Sequence, residues 1–198
     1  MYRFEQSLVT NMGNFGLELS SETVTQLGTF YSLLTRWNER LHLVAPCSPE
    51  EFAVRHVLES LLLLKYLLQG AKVADVGSGG GLPIIPCLIA RPDLEATLIE
   101  SSQKKAVFLR EALNTLGRSA VVLARRFEEL PPPPVSFITC RALDRFTQRL
   151  PELIRWTPTG STLLLFGGEA LGEELGGKFE KHLIPLSDRR FLFILATD

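Results

Sequence analysis

Apolar residues at Val24, Leu27, Tyr31, Leu34, Trp37 and Leu41 recur every three or four positions, which predicts an amphipathic helix starting at Ser20. Residues 1–19 show no sustained period and read as a loose arm or one short helix. Ser48-Pro49-Glu50-Glu51 is a capping box with proline at the first helical position. It opens a second helix through Val54, Val57, Leu58, Leu61, Leu62 and Leu68, which Gly70 ends. Two helices with no strand between them predict an N-terminal helical extension over 1–70.

From residue 71 the pattern changes to short apolar runs alternating with helical periods. Strands are expected at 72–76, 96–100, 120–123, 135–139 and 162–166, and helices at 83–91, 102–116 and 145–155. Pro131 to Pro134 form a stiff extended spacer before the fourth strand. A glycine-containing polar segment then leads to two last strands, near His182–Leu186 and Phe191–Ala196. Strands alternating with helices mean an α/β domain over 71–198, a mainly parallel seven-stranded sheet that the final pair closes as a hairpin.

Composition narrows the setting. The 198 residues are 45% hydrophobic and 22% charged, as in ordinary water-soluble chains. The longest apolar run, Leu61 to Leu68, is short and holds Lys65, and no basic-then-apolar leader opens the chain, so the expectation is a cytoplasmic protein without a membrane span. Cys47, Cys87 and Cys140 are odd in number and widely spaced, which supports neither a disulfide framework nor a metal site. A net charge of −1 gives no global basic field, so any nucleic-acid contact has to come from local clusters.

The stretch richest in chemistry is Lys72 to Pro83, where a buried strand breaks into glycines just before a helix. Glycines there let backbone N–H groups approach a polar or anionic ligand at a helix start. The dinucleotide fingerprint G-x-G-x-x-G needs glycine at 82, which is leucine here. The pattern is instead D-x-G-x-G-x-G, from Asp75 through Gly77 and Gly79 to Gly81. Glu100 closes the next strand, where an acid is placed to accept from ribose hydroxyls. Asp75 is placed to face a cation or brace the loop. Together these favour S-adenosylmethionine, a sulfonium with a ribose and no pyrophosphate.

Further motifs sharpen this. W-N-x-x-x-x-L at Trp37–Leu43, R-H-x-L-x-S at Arg55–Ser60 and D-V-G-S-G-x-G-L-P at Asp75–Pro83 resemble the RsmG (GidB) family, and the likeness continues through Lys104-Lys105, Phe108-Leu109-Arg110, Arg126-Phe127-Glu128-Glu129 and Arg141-Ala142. It runs from about Trp37 to the end of the fifth strand. The resemblance implies a Rossmann-like class I S-adenosylmethionine-dependent methyltransferase acting on guanine N7 of small-subunit ribosomal RNA. It carries cofactor contacts to Gly77, Leu82, Phe127, Glu128 and Arg141, beside Asp75, Gly79 and Glu100. Phe127 would flank the adenine, and Glu128 either accepts from its amine or is a solvated acid beside Glu129. The chain departs from the family at Ile84, at His42-Leu43-Val44, and at Phe166 where a lysine is usual.

Guanine N7 carries an in-plane lone pair and no proton, so its methylation needs no general base. That suits a chain with no evident catalytic dyad, in which no residue is assigned to catalysis proper. Cys140 reads either as the nucleophile of a pyrimidine methylase or, more simply, as a small packed residue. His56 either meets phosphate or braces its helix. Lys104 with Lys105, Arg126, Arg145 and Arg149 form a phosphate-binding track or an ordinary solvated face. The implied partner is small-subunit RNA or the assembling 30S particle, met by a monomer. Two alternatives stay open: a methyltransferase for another RNA or a small molecule, and a non-catalytic RNA-associated module.

Overall fold

The computed structural model describes residues 1–141, 146–177 and 179–197. The opening segment is not a loose arm: α1 (Tyr2–Asn11) and a 3-10 turn (Met12–Phe15) bury Phe4, Leu8 and Phe15 completely. Phe4 stacks on Tyr31 with ring centroids 4.6 Å apart. Helix α2 (Ser21–Leu41) is capped by Ser20, whose side chain accepts from the Thr23 N–H. It ends at His42, whose φ of 49° is left-handed.

The second predicted helix starts where expected, with Ser48 accepting from the Glu51 N–H at 3.0 Å. It is not uniform, however. α3 (Pro49–Phe52) runs into a π-helical stretch (Ala53–Leu58), then α4 (Glu59–Leu61) and a 3-10 turn (Leu62–Lys65). It stops three residues before the expected Leu68, which is exposed. A π-turn spaces carbonyls differently from the α ladder and recurs at functional sites; here it frees carbonyls for a side chain from the sheet.

Seven strands follow, in the order β3-β2-β1-β4-β5-β7-β6. They are β1 (Lys72–Val76), β2 (Glu95–Ile99), β3 (Val121–Leu123), β4 (Phe137–Arg141), β5 (Thr162–Gly167), β6 (Glu180–Leu183) and β7 (Phe191–Ala196). The first five pair in parallel, and β7 joins β5 and β6 antiparallel. Between them lie α5 (Ile84–Ala90), α6 (Gln103–Thr115), α7 (Phe146–Trp156) and α8 (Glu169–Leu175). Alternation along the strands divides the core. Val73, Leu98, Leu164 and Leu192 face a cluster built with the N-terminal helices, α5 and α6, whereas Ala74, Val76, Leu163, Leu165 and Phe193 face one built with α7 and α8.

Three segments differ from the pattern reading. β4 starts at Phe137 rather than Val135, because the Val135 N–H turns back to the Pro133 carbonyl at 2.9 Å. The shift brings Cys140 and Arg141 into the strand. The polar segment after β5 holds α8, hidden in sequence by its glycines; a Cβ at Gly172 would stand 3.0 Å from the Phe193 ring. β6 begins two residues before His182, and all four of its residues are exposed.

Candidate functional site

The carboxyl ends of β1, β2 and β4 meet at one edge of the sheet, beside the point where strand order reverses; open α/β sheets bind ligands at such edges. There the glycine loop is tied to β2. The Gly77 and Ser78 N–H groups donate to the Ile99 carbonyl at 2.9 and 3.2 Å. One Glu100 oxygen accepts from the Gly79 N–H at 2.8 Å and the other from the Ser102 N–H at 2.7 Å. Each oxygen retains a lone pair for a further donor. Gly81, with φ at 77°, is required by packing as well as by torsion: a Cβ there would lie 2.4 Å from Ile85 Cδ1.

Above this loop lies a cleft of about 510 Å³. Its lining includes Gly77 to Gly80, Leu82 and Glu100, with Ser101, Ser102, Lys105, Arg126 and Arg149 from the following loops and helices. Residues from the N-terminal helices and their connections complete it: Leu43, Val44, Ala45 and His56. The Asn38 side chain fixes the 43–45 segment, donating to the Val44 carbonyl at 3.0 Å and accepting from the Val44 N–H at 2.9 Å. Leu43 and Val44, from the His42-Leu43-Val44 segment at which the chain departs from the family, are therefore cleft wall, and of these two Val44 is the changed residue.

Arg141, at the end of β4, also lines the cleft. Its guanidinium donates to the Arg55 carbonyl, to the His56 carbonyl at 3.5 Å and to Ser60 Oγ at 3.4 Å, all on the π-helical segment and the turn after it. It also reaches a Glu59 carboxylate oxygen at 3.3 Å and lies 5.5 Å from the Phe166 ring centroid. Phe166, a third departure, thus carries a cation on its face. Burial, with the Arg141 and Arg55 cations nearby, lowers the His56 pKa to about 4, so its imidazole is neutral at physiological pH. His56 is both brace and lining: its ring packs 5.0 Å from Phe52 while its edge meets the cleft.

Several of the other predicted residues lie apart from the cleft. Asp75 is buried beneath the loop, with Oδ1 accepting from Thr139 Oγ1 at 2.7 Å and no partner within the described residues for Oδ2. Burial raises its pKa to about 6. Phe127 is buried edge-on against Trp156 at 5.5 Å, and with Glu128 it lines a separate shallow hollow. Glu128 pairs with Arg149 at 3.3 Å rather than standing alone as a solvated acid. Of the basic track, Arg126, Arg149 and Lys105 reach the cleft, Lys104 is exposed at the start of α6, and Arg145 falls outside the described residues. Cys140 is fully buried in β4 between Val76 and Leu165, where no substrate base can reach its sulfur.

Pattern reading missed Asn38, Ser102, Glu59 and Arg190. Asn38 lay inside the W-N motif and Glu59 inside R-H-x-L-x-S, so the signal was present without a contact to interpret it. Arg190 carried no local signal.

Residues 23–187 match the model of the GidB family, described as rRNA small subunit methyltransferase G. A ribosomal RNA small subunit methyltransferase G from Sorangium cellulosum is 36% identical over 178 residues, covering 86% of this chain and 74% of that protein. One of the same name from Alkalilimnicola ehrlichii is 37% identical over 171 residues, covering 85% and 77%. Among solved structures, a SAM-dependent methyltransferase from Aquifex aeolicus superposes with a TM-score of 0.58 at 17% identity, over 82% of this chain and 96% of that one.

Proposed function

The chain belongs to the GidB family, rRNA small subunit methyltransferase G, and from that premise we propose that it transfers a methyl group from S-adenosylmethionine to N7 of a guanine in small-subunit (16S) ribosomal RNA. The observation that carries the reading is the pairing of Glu100, locked to the glycine loop, with Arg141 two strands away across one cleft.

The donor set fits the cofactor. Glu100 keeps acceptor capacity for two ribose hydroxyls, Leu82 supplies an apolar surface, and Gly77 and Gly79 bring backbone close without side chains. Arg141 offers a cation for a carboxylate. Phe127 and Glu128, directly after β3, fall on the side of Glu100 where adenine would extend, and Asp75 supports the loop from below. When bound, S-adenosylmethionine supplies an electrophilic methyl group on a sulfonium. The protein's own task is then to hold guanine N7 in line and exclude water, because the attacking lone pair needs no deprotonation. Neutral His56 and buried Cys140 accord with chemistry that uses neither base nor covalent nucleophile.

For RNA, Arg126, Arg149 and Lys105 line the cleft, with Arg149 also paired with Glu128, and exposed Lys104 lies at the start of α6; Arg145, outside the described residues, belongs to the proposed track on its sequence position alone. Phosphate contacts of this kind position a substrate without reading its sequence. We place the protein in the cytoplasm as a monomer, acting on ribosomal RNA or the assembling 30S particle. The test is transfer of radiolabelled methyl to small-subunit RNA and particles lacking the modification, followed by identification of the labelled base. Label recovered as 7-methylguanine is expected. Label elsewhere, or none despite calorimetrically proven cofactor binding, would overturn the substrate assignment.

A further inference from the structure

Glu59 is 1% exposed, although a buried carboxylate is costly unless paired. Two guanidiniums from distant parts of the chain meet it. Arg190, in the turn between β6 and β7, donates from Nε at 2.9 Å and from Nη2 at 2.6 Å, both to Oε1. Arg141 donates to Oε2 at 3.3 Å. The Arg190 backbone is itself pinned, its N–H donating to Ser187 Oγ at 3.0 Å and its carbonyl accepting from the Ile184 N–H at 2.9 Å.

The sharing is unequal. Arg190 makes both short contacts and Arg141 one longer one, so of two cations on one anion, the less compensated is Arg141. It is also the one that lines the cleft, whereas neither Glu59 nor Arg190 does. Neutral His56, the Ser60 hydroxyl and the ring of Phe166 are its other close side-chain neighbours among the described residues, and none of them is an anion. An arginine so arranged is held in place by the π-helical carbonyls and Glu59, yet keeps positive charge for an anion in the cleft.

We propose that Glu59 and Arg190 are positioning residues that hold Arg141 at the cleft with uncompensated charge for the carboxylate of the cofactor's amino-acid end. The assignment of that end follows from strand order: Glu100 directly follows β2, Arg141 closes β4, and β1 with its glycine loop lies between them. It rests on the methyltransferase reading above. Removing Arg190 lets Glu59 neutralise Arg141 alone; removing the Glu59 charge leaves two guanidiniums repelling one another. Both changes weaken the same contact from outside the cleft.

The test is calorimetric titration of the full chain with S-adenosylmethionine and with 5′-methylthioadenosine, which keeps adenosine and sulfur but lacks the amino-acid end. Arg190→Met and Glu59→Gln are expected to weaken S-adenosylmethionine binding about tenfold, or about 1.4 kcal/mol, and to leave methylthioadenosine within about twofold of the native value. Arg190→Lys restores most of the loss, because it returns the charge. Native S-adenosylmethionine affinity in folded Arg190→Met, or equal loss of both ligands, would overturn the proposal. Should Glu59→Gln fail to fold, Arg190→Met, at a half-buried position in a surface turn, decides alone. Failure of the native protein to bind S-adenosylmethionine would instead defeat the methyltransferase reading, and this inference with it.

Discussion

Replacing Gly81 with alanine tests whether the loop is held by steric fit as well as by torsion. The new Cβ would stand 2.4 Å from Ile85 Cδ1, 2.8 Å from Ile85 Cγ1 and 3.3 Å from Leu109 Cδ2. Ile85 is fully buried in the first turn of α5, so its side chain has no solvent to swing into. The left-handed torsion costs about 1–2 kcal/mol for an L-residue, and overpacking adds about 1–3 kcal/mol, giving about 2–5 kcal/mol in all. Ile85→Val deletes the closest atom and by itself costs about 0.5–1.5 kcal/mol. The double variant should therefore be less destabilised than the sum of the single ones, by about 1 kcal/mol. Urea unfolding of all four proteins by circular dichroism measures the coupling. Gly79→Ala is the control, since among the described residues only the Gly77 carbonyl comes within 4 Å of its Cβ, at 3.7 Å, and it should show the torsional cost alone. Additivity within about 0.5 kcal/mol, or a Gly79→Ala loss equal to that of Gly81→Ala, would refute the steric argument.

Glu100→Gln turns one backbone-accepting oxygen into a donor facing either the Gly79 or the Ser102 N–H; it should cost about 1–3 kcal/mol and weaken cofactor binding, and unchanged affinity by calorimetry would remove Glu100 from the ribose site. Asn38→Ala severs both hydrogen bonds to Val44, so amide exchange at Val44 should accelerate by more than about tenfold, whereas native-like protection would show that the segment is held by other contacts. His56 titrates near 4 when folded and near its ordinary 6.5 when unfolded, so the unfolded chain takes the proton first. Its neutral burial supports stability above pH 6.5, and this support is lost as pH falls towards 4. Asp75, raised to about 6, acts in the opposite sense over an overlapping range, which is why the comparison has to be made against His56→Gln rather than on the native curve alone. Acidification should lower native stability relative to that variant by at most about 3 kcal/mol, less whatever solvent reaches the ring; parallel curves from pH 7 to pH 4 would show that the shift is absent.

Sequence alone determined the elements whose signal is short-range. The helical period from Val24 to Leu41, the Ser48 cap, the apolar run of β1 and its break into glycines each depend on neighbours within a turn or a strand. The place of Glu100 was legible for the same reason, as an acid directly after a strand next to the one carrying the glycines. α8 was not, because its interior Gly172 answers to Phe193 on β7, twenty-one positions away in sequence. The start of β4 was misread because proline-rich backbone can stay extended without joining a sheet, and only the hydrogen bonds of Val135 and Ser136 show where pairing begins.

Tertiary structure decided which residues share the cleft and which charges face it. Phe127 and Glu128 follow β3 as the motif required, yet one packs on Trp156 and the other pairs with Arg149, both from α7. Arg141 was readable as a conspicuous arginine, but its setting was not. Its partner Glu59 lies 82 positions away, and Glu59 in turn is held by Arg190, 131 positions away. Periodicity carries no information over such separations. A carboxylate's partners are chosen by the fold that buries it, because only burial makes an unpaired charge too costly to keep.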